Sequence, residues 1–295
     1  MDLNADGTID VLSGSYALKG TQPMAGTFHV LWGSEGGFGQ AEPLRGSDGE
    51  LLTLPQGEGK PRVDQNRICT RVTAVDLDGD GALDLVSGNF KGTFAVFKGE
   101  GEGRFAPQAS WLKAPDGSRL TVAPHSDPCF VDWDGDGDLD LLSGSGAGGV
   151  FLCLNTGTRE AASFAAPTEV VAPLPPRTYP EPIVLGDAHV TGPQRATRVS
   201  VADVNGDGKF DLLVGDTVNL TYVLDGQDEA EVLAKLEAFS ARQQEAFARQ
   251  RDAKGDAERE AASTAYRELY QELRAERRKL VRKDMTGFVW VLYQQ

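Results

Sequence analysis

An acidic motif in which oxygen-bearing side chains recur at every second position occurs four times in this chain. Its pattern is Asp-x-Asp/Asn-x-Asp-Gly-x-x-Asp, and the copies occupy residues 2–10, 76–84, 132–140 and 203–211, here called loops 1 to 4. One copy alone is compatible with an ordinary solvated turn. Four copies that align without gaps instead predict a metal-binding loop, because this spacing surrounds a hard cation with oxygen ligands.

Calcium is the cation that such a ligand set favours. The side chains at positions one, three, five and nine are the expected ligands, a backbone carbonyl at position seven adds another, and the glycine at position six permits the sharp turn. The predicted ligand residues are Asp2, Asn4, Asp6, Thr8 and Asp10 in loop 1; Asp76, Asp78, Asp80, Ala82 and Asp84 in loop 2; Asp132, Asp134, Asp136, Asp138 and Asp140 in loop 3; and Asp203, Asn205, Asp207, Lys209 and Asp211 in loop 4. The sequence therefore predicts up to four structural Ca²⁺ ions.

Each loop is expected to lie between β-strands, which distinguishes it from an EF-hand. An EF-hand needs a flanking helix and a glutamate at position twelve, whereas here the ninth-position Asp opens a short β-rich run. A second β-rich run precedes three of the loops, and a third follows a Ser/Gly-rich turn. These three groups of runs are Ile9–Leu12, Leu83–Val86, Leu139–Leu142 and Phe210–Val214 after the loops; Arg71–Val75, Cys129–Val131 and Val199–Ala202 before them; and Phe28–Trp32, Phe94–Phe97 and Val150–Leu154 last.

A repeat made of one small sheet cannot bury both of its faces alone. Neighbouring repeats are therefore expected to stack around a common axis as a β-propeller or a partial propeller of about four blades. The run DWDGDGDLDLLSG at 132–144 resembles the FG-GAP or VCBS repeat family, whose calcium-loop blades also occur in integrin α-subunit heads and in many secreted bacterial proteins. The resemblance covers about residues 1–225 and the last ten residues. It implies the fold and the calcium, but not one function, since such blades serve adhesion, sugar binding and enzymes.

A helical hairpin is predicted to interrupt the fourth unit. The composition changes at residue 228 to helix-favouring residues without proline, and Gly255-Asp256 marks the expected break between two antiparallel helices. Residues 287–293 then return to β character. The predicted domains are therefore propeller blades at 1–227 and 286–295 and the inserted hairpin at 228–285. The basic residues near 274–283 are interpreted as a solvated face at a helix C-terminus, where cations are favoured.

Charge and hydropathy restrict the partners. The formal net charge of −15 disfavours binding to nucleic acid, and no apolar run approaches the roughly 20 residues that span a bilayer. Extracellular calcium loops bind their ion at about 0.1–1 mM, which favours an extracellular, periplasmic or cell-surface location. Because an incomplete propeller leaves strand edges unpaired, homodimerisation through these edges or through the hairpin is a further expectation.

Polar residues at the starts of the predicted inner strands form the candidate ligand site. Aligning the units on their first loop Asp places Arg71, Asp127 and Arg198 at one level, and Cys69, His125 and Ala196 two residues earlier. With Arg67 and Arg195, the arginines are predicted to form a polar pocket for an anionic or polyhydroxylated ligand. His125 and Asp127 are the candidate acid, base or metal-ligand residues. The alternative is that these groups only satisfy one another through salt bridges.

Two functional classes follow from these patterns. The first is a calcium-binding interaction module that recognises carbohydrate or another protein, which the complete ligand sets of the loops favour. The second is a metal-dependent hydrolase of phosphate, sulfate or carboxylic esters with its site in the central channel, which the grouping of His125, Asp127 and the arginines favours. The sequence contains no recognisable nucleophile elbow, zinc-protease or phosphate-loop motif, so the interaction module is the preferred interpretation.

Overall fold

The computed structural model describes residues 1–17, 24–56, 64–176 and 183–294. Within these ranges the fold is mainly β, with five sheets and two long helices, which confirms the predicted class and the helical insertion. The strands are β1 Val11–Gly14, β2 Phe28–Leu31, β3 Gly33–Ser34, β4 Gly37–Phe38, β5 Glu42–Pro43, β6 Arg71–Val75, β7 Asp84–Gly88, β8 Phe94–Gly99, β9 Phe105–Trp111, β10 Asp127–Val131, β11 Asp140–Gly144, β12 Val150–Cys153, β13 Thr168–Val171, β14 Arg195–Ala202, β15 Asp211–Val223, β16 Val281–Thr286 and β17 Val289–Leu292. The helices are α1 Glu229–Asp252 and α2 Asp256–Arg278, with a short 3-10 helix at Asp187–His189.

The chain divides into two compact units. Unit 1 comprises Met1–Leu174, Pro193–Asp216 and Phe288–Gln295, and unit 2 comprises Pro175–Gly192 and Thr217–Gly287. All four acidic loops belong to unit 1, whereas both long helices belong to unit 2. The sequence-based boundaries at 228 and 285 remain a prediction, and strand β16 lies across the second of them.

The sheets of unit 1 repeat one antiparallel plan. Strands β6-β7-β8-β9 form one sheet and β10-β11-β12-β13 form the next, with loops 2 and 3 joining the first two strands of each. The residue after each ninth-position Asp pairs with the third strand at the same register in all four copies. These pairs are Val11 with Leu31, Leu85 with Phe97, Leu141 with Cys153, and Leu212 with Leu292. The C-terminal strand β17 therefore supplies the third strand of the fourth copy.

Small hydroxyl residues link each sheet of unit 1 to the next. Thr70, Ser126 and Thr197 stand at the same position, six residues before loops 2, 3 and 4. Their side-chain oxygens accept the backbone N–H groups of Ser15, Asn89 and Ser145 at 2.8, 3.0 and 2.9 Å. Each hydroxyl also donates to a carbonyl of the preceding sheet, for example that of Thr93. Consecutive sheets are thus joined by the same pattern of buried hydroxyl hydrogen bonds.

The apolar core of unit 1 lies between neighbouring sheets. One buried cluster joins Leu77, Val86 and Phe94 to Leu141 and Phe151 of the following sheet. A second cluster joins residues of the first sheet to the inner face of the β6–β9 sheet, and includes Phe28, Val30, Leu85, Phe97 and Phe105. Alternate residues of each strand face opposite sides, so one sheet contributes to two cores.

Unit 2 is built around the helical hairpin. The Asp228 side chain caps α1 by accepting the backbone N–H of Glu231 at 2.9 Å, and Gly255, with φ of 79°, precedes α2 as the predicted break. Val232 and Leu236 of α1 pack against Val281 of β16. Residues 281–285 were predicted to end the helical segment, but together with Thr286 they form strand β16, because they pair with Val218–Val223 of β15.

Candidate functional site

The four acidic loops share one backbone frame that is anchored by the ninth-position Asp. Asp10, Asp84, Asp140 and Asp211 are all at most 3% exposed. One carboxylate oxygen of each accepts the N–H of the second loop residue, and the other accepts an N–H at the end of the third strand. The second-residue donors are Leu3, Leu77, Trp133 and Val204, and the third-strand donors are Gly33, Gly99, Asn155 and Gln294.

The first Asp of each loop folds the loop back on itself. Its Oδ2 accepts the N–H of the turn glycine at position six, at 2.9 to 3.3 Å. The glycine at position six has φ between 85° and 97° in every loop, which agrees with the sharp turn predicted from the motif. These turn glycines are Gly7, Gly81, Gly137 and Gly208. Position four is also left-handed in every loop, at Ala5, Gly79, Gly135 and Gly206. That feature was missed, although glycine at three of the four positions signals it.

Carboxylates converge within loops 2 and 3. Ligand-type oxygens of Asp76, Asp78 and Asp80 lie within 4.8 Å of one another, and those of Asp132, Asp134 and Asp136 do the same. Such groups of oxygen ligands fit a hard divalent cation. In loops 1 and 4 an Asn replaces the middle Asp, and its Nδ2 donates to the fifth-position Asp at 3.0 and 3.1 Å.

Loops 2 and 3 each contain one buried carboxylate oxygen that has no hydrogen-bond partner among the described residues, namely Asp76 Oδ1 and Asp138 Oδ1. Such an oxygen is costly unless a cation or water satisfies it. Burial raises the pKa of Asp138, and the neighbouring charges of Asp136, Asp140 and Asp134 raise it further. Among the described residues no lysine or arginine forms an ion pair with a loop 3 carboxylate.

A comparison with protein families identifies this part of the chain. A family model described as an FG-GAP-like repeat matches residues 76–143, from the first Asp of loop 2 to strand β11. Residues 76–143 are therefore similar to this family and are called the FG-GAP-like repeat below. The match agrees with the resemblance predicted from the loop motif. A search of the curated proteins gives no significant match to the chain.

Within the FG-GAP-like repeat, loop 2 differs from the other loops because two basic side chains contact it. The Lys98 ammonium on β8 lies 2.6 Å from both carboxylate oxygens of Asp78, 2.7 Å from Asp80 and 3.5 Å from Asp84. Burial acts to lower the pKa of Lys98, but the bonds to Asp78 and Asp80 outweigh it and place the pKa above its usual range. Arg159 reaches Asp76 Oδ2 at 3.3 Å.

A polar cluster lies where the FG-GAP-like repeat meets its neighbours in unit 1. Arg198 donates to Asp127 Oδ1 at 2.7 Å, and Cys69 Sγ lies 3.1 Å from His125 Nδ1. Nε and Nη1 of Arg71 are buried and have no hydrogen-bond partner among the described residues. The structure thus brings together five of the residues that the strand alignment placed at two neighbouring levels, namely Arg71, Asp127 and Arg198 at one and Cys69 and His125 at the other.

Burial governs the charge states in this polar cluster. It lowers the pKa of His125, and the positive charges of Arg71 and Arg198 lower it further, so the neutral imidazole is favoured. Burial also raises the pKa of Asp127, although Arg198 and Arg71 oppose this effect. A neutral imidazole, a carboxylate and two guanidinium groups form a mixed surface that suits hydrogen bonding to an anion or a polyol.

The other predicted ligand-site residues lie in different surroundings. Arg67 donates Nε to the Leu54 carbonyl at 2.9 Å and Nη2 to Thr53 at 3.2 Å, so its guanidinium braces a neighbouring segment. Arg195 begins strand β14, two residues before the linking Thr197. The ligand-binding role of these two arginines stays a prediction.

Unit 2 contains a separate basic cavity of about 580 Å³. Its lining includes Arg274, Arg277, Arg278, Arg282 and Lys283, with Leu273 and Val281 on the apolar side. The sequence predicted that these basic residues form a solvated helix face. They instead line a concave surface, because Arg282 and Lys283 of strand β16 lie opposite the arginines of α2.

Proposed function

We propose that unit 1 is a calcium-binding β-propeller, or an arc of one, that acts as an interaction module for a carbohydrate or a protein ligand. The observation that carries this proposal is the identical hydrogen-bonded frame of the four loops. In each copy the ninth-position Asp and the turn glycine make the same backbone hydrogen bonds. In loops 2 and 3 the carboxylate oxygens at positions one, three and five also lie within 4.8 Å of one another. This arrangement suits a cation with oxygen ligands.

Blade-like stacking is supported by the contacts between consecutive sheets. The hydroxyls of Thr70, Ser126 and Thr197 tie each sheet to the next, and each buried cluster draws side chains from two sheets. Repeats that bury their faces only against neighbours form propellers or solenoids, and antiparallel four-stranded units are typical of propellers.

Calcium is proposed to stabilise the loops rather than to perform chemistry. The carboxylates of loop 3 fit the ion best, because they converge and no described lysine or arginine pairs with them as Lys98 and Arg159 do with loop 2. The loops present main-chain and side-chain oxygens from one short segment, as structural calcium sites do. A metal bound only by the folded state stabilises it by about 2.7 kcal/mol when its concentration is one hundred times Kd.

The polar cluster is the proposed ligand contact. Arg71 offers two buried donor nitrogens that lack partners among the described residues, and a ligand oxygen would satisfy them. The Phe90 ring packs 4.3 Å from the His125 ring, which adds an aromatic face beside the donors. Polar donors beside an aromatic ring suit a sugar or an acidic peptide side chain.

An extracellular, periplasmic or cell-surface location belongs to the same proposal, since loops of this type bind calcium at concentrations found outside cells. In the part of the chain that the structure describes, neither long helix is apolar enough to cross a membrane. Self-association through open sheet edges or the helical hairpin also remains part of the proposal, and sedimentation at micromolar concentration would test it.

Chelation tests the calcium part of the proposal. Removal of calcium with EGTA is expected to lower Tm by more than about 10 °C, as several kcal/mol of lost binding energy would. A glycan and peptide screen then tests recognition, with Arg71→Gln as the variant expected to lose binding and the exposed Arg104→Gln as its matched control. Equal melts with and without calcium would count against structural calcium.

A metal-dependent hydrolase is the second candidate, and the grouping of His125 with Asp127 favours it. A neutral imidazole can act as a general base, and the arginines can bind an anionic group of the substrate. The test is hydrolysis of phosphate, sulfate and carboxylic esters by the wild type, His125→Ala and Asp127→Ala. Turnover that both variants lose while they remain folded would favour the enzyme.

A further inference from the structure

Loop 2 already contains a cation, which is the ammonium group of Lys98. This group lies within 2.7 Å of carboxylate oxygens of both Asp78 and Asp80, and within 3.5 Å of Asp84. Positions three, five and nine of the loop are therefore all engaged by one tethered positive charge. These positions provide three of the four side-chain ligands that the calcium proposal assigns to the loop.

The other loops have no basic residue at the equivalent place. Lys98 directly precedes Gly99, whose N–H bonds to the ninth-position Asp84 at 2.7 Å. The equivalent donors in the other copies are Gly33, Asn155 and Gln294, and the residues that precede them are Trp32, Leu154 and Tyr293. The position before the strand-end donor thus carries a cation in the copy of loop 2 and uncharged residues in the copies of loops 1, 3 and 4.

A second basic residue covers loop 2 from the side. Arg159 pairs with Asp76, and its side chain lies against Gly79, so that a Cβ at that glycine would lie 2.9 Å from the Arg159 Nε. At the equivalent Gly135 of loop 3 and Gly206 of loop 4, a Cβ would have no described neighbour within 4 Å. Two basic residues of the chain thus contact the four carboxylates of loop 2, while the buried Asp76 Oδ1 has no hydrogen-bond partner among the described residues.

We infer that Lys98 is the resident cation of loop 2, so that this loop binds no calcium while loops 1, 3 and 4 do. The inference rests on the proposed calcium binding of the other three loops. A calcium ion that entered loop 2 would have to displace an ammonium that is held by charge-assisted hydrogen bonds and tethered to the neighbouring strand. The tether keeps the local concentration of this competitor high, whatever the calcium concentration in solution.

Calcium stoichiometry, measured by isothermal titration calorimetry and by equilibrium dialysis, tests the inference. Lys98→Met removes the charge but keeps an unbranched apolar stem, and we expect it to bind one more calcium ion than the wild type. The matched control is Lys91→Met, because Lys91 is exposed in the turn between β7 and β8 of the same sheet. This control is expected to leave the stoichiometry unchanged.

Two ligand variants test the inference in the wild-type background, where Lys98 is intact. Asp80→Asn in loop 2 is expected to leave the calcium stoichiometry unchanged, whereas Asp136→Asn in loop 3 is expected to lower it by one. Loss of one calcium ion in Asp80→Asn, or no gain in Lys98→Met, would overturn the inference. If the wild type binds no calcium but Lys98→Met binds one, calcium binding by loops 1, 3 and 4 is wrong, while the assignment of Lys98 as the resident cation of loop 2 stands.

Discussion

The Sγ atom of Cys69 lies 3.1 Å from Nδ1 of His125, although the two residues are 56 positions apart. Both residues have left-handed backbone conformations, with φ of 60° and 62°, and Ala196 at the equivalent place in the next copy has φ of 54°. The contact therefore follows from the repeat, because the chain turns in the same way before the first strand of each copy. Non-glycine residues seldom adopt this conformation, so the surrounding hydrogen bonds must hold it.

Stability should depend on pH through His125. Because its pKa is lowered in the folded state, its contribution to stability is fully present above the unfolded value of about 6.5 and is lost as pH falls through the folded value. We expect the wild type to lose more stability between about pH 7.5 and pH 5.5 than His125→Gln does. Urea denaturation across this range measures the difference. Parallel pH profiles for the two proteins would show that burial of His125 has no energetic effect.

Ser126→Ala should weaken the connection between the second and third sheets. The Ser126 hydroxyl is fully buried, accepts the Asn89 N–H at 3.0 Å and donates to the Thr93 carbonyl at 3.0 Å. Its removal leaves a buried N–H unsatisfied, at a cost of about 1–3 kcal/mol in the free energy of unfolding. Ser110→Ala on the exposed side of β9 is the control and should change this energy by less than about 0.5 kcal/mol. Equal effects of the two substitutions would contradict the assigned link.

Gly88→Ala should destabilise the protein by steric overlap. A Cβ at Gly88 would overlap the Ser126 backbone carbonyl. This carbonyl lies just before strand β10 of the next sheet and cannot move aside as a flexible side chain would. We expect a loss of about 1–3 kcal/mol or more. Gly36→Ala is the matched control, since a Cβ there meets only Ser34 Oγ at 3.9 Å. A melt of Gly88→Ala that matches the control would disprove the close approach.

Asp140→Ala and Asp136→Ala should respond differently to calcium. Asp140 accepts two backbone N–H groups, from Trp133 at 2.9 Å and Asn155 at 2.7 Å, so its loss should destabilise the protein by about 2 kcal/mol or more with or without calcium. Asp136 is exposed and, among the described residues, accepts one hydrogen bond, from the N–H of Asp138 at 3.1 Å, so its substitution should matter chiefly when calcium is present. Denaturation with calcium and with EGTA separates the two roles. Identical calcium dependence would show that both residues act only as ligands.

The sequence predicted those parts of the fold that depend on local patterns. The loop motif located the turn glycines, and the alternating runs located β6, β7, β10 and β11, because these signals lie within a few residues of one another. The predicted runs missed strands β9 and β13. In β9 exposed residues alternate with partly buried ones, β13 is mostly exposed, and neither strand carries a motif that repeats between the copies.

The basic contact in loop 2 could not be predicted from the loop motif. Lys98 is 20 positions from Asp78, and the motifs of loops 2 and 3 do not reveal which of them meets a lysine. Only the strand register decides it, because the pairing of Leu85 with Phe97 sets the next residue beside the loop. The contacts of Arg67 with Thr53 and Leu54 depend likewise on a segment outside the repeat.

The hydroxyl links also have a consequence for the duplication of such repeats. Thr70, Ser126 and Thr197 each precede the loop of their own copy of the repeat. The backbone groups that they bind belong to the preceding copy. A gene segment that runs from just upstream of one loop to the same point before the next loop therefore encodes its own linking hydroxyl residue. The partner that this hydroxyl needs is a backbone group. Adding or removing whole segments would therefore conserve every hydroxyl link, whatever side chains the preceding copy of the repeat carries.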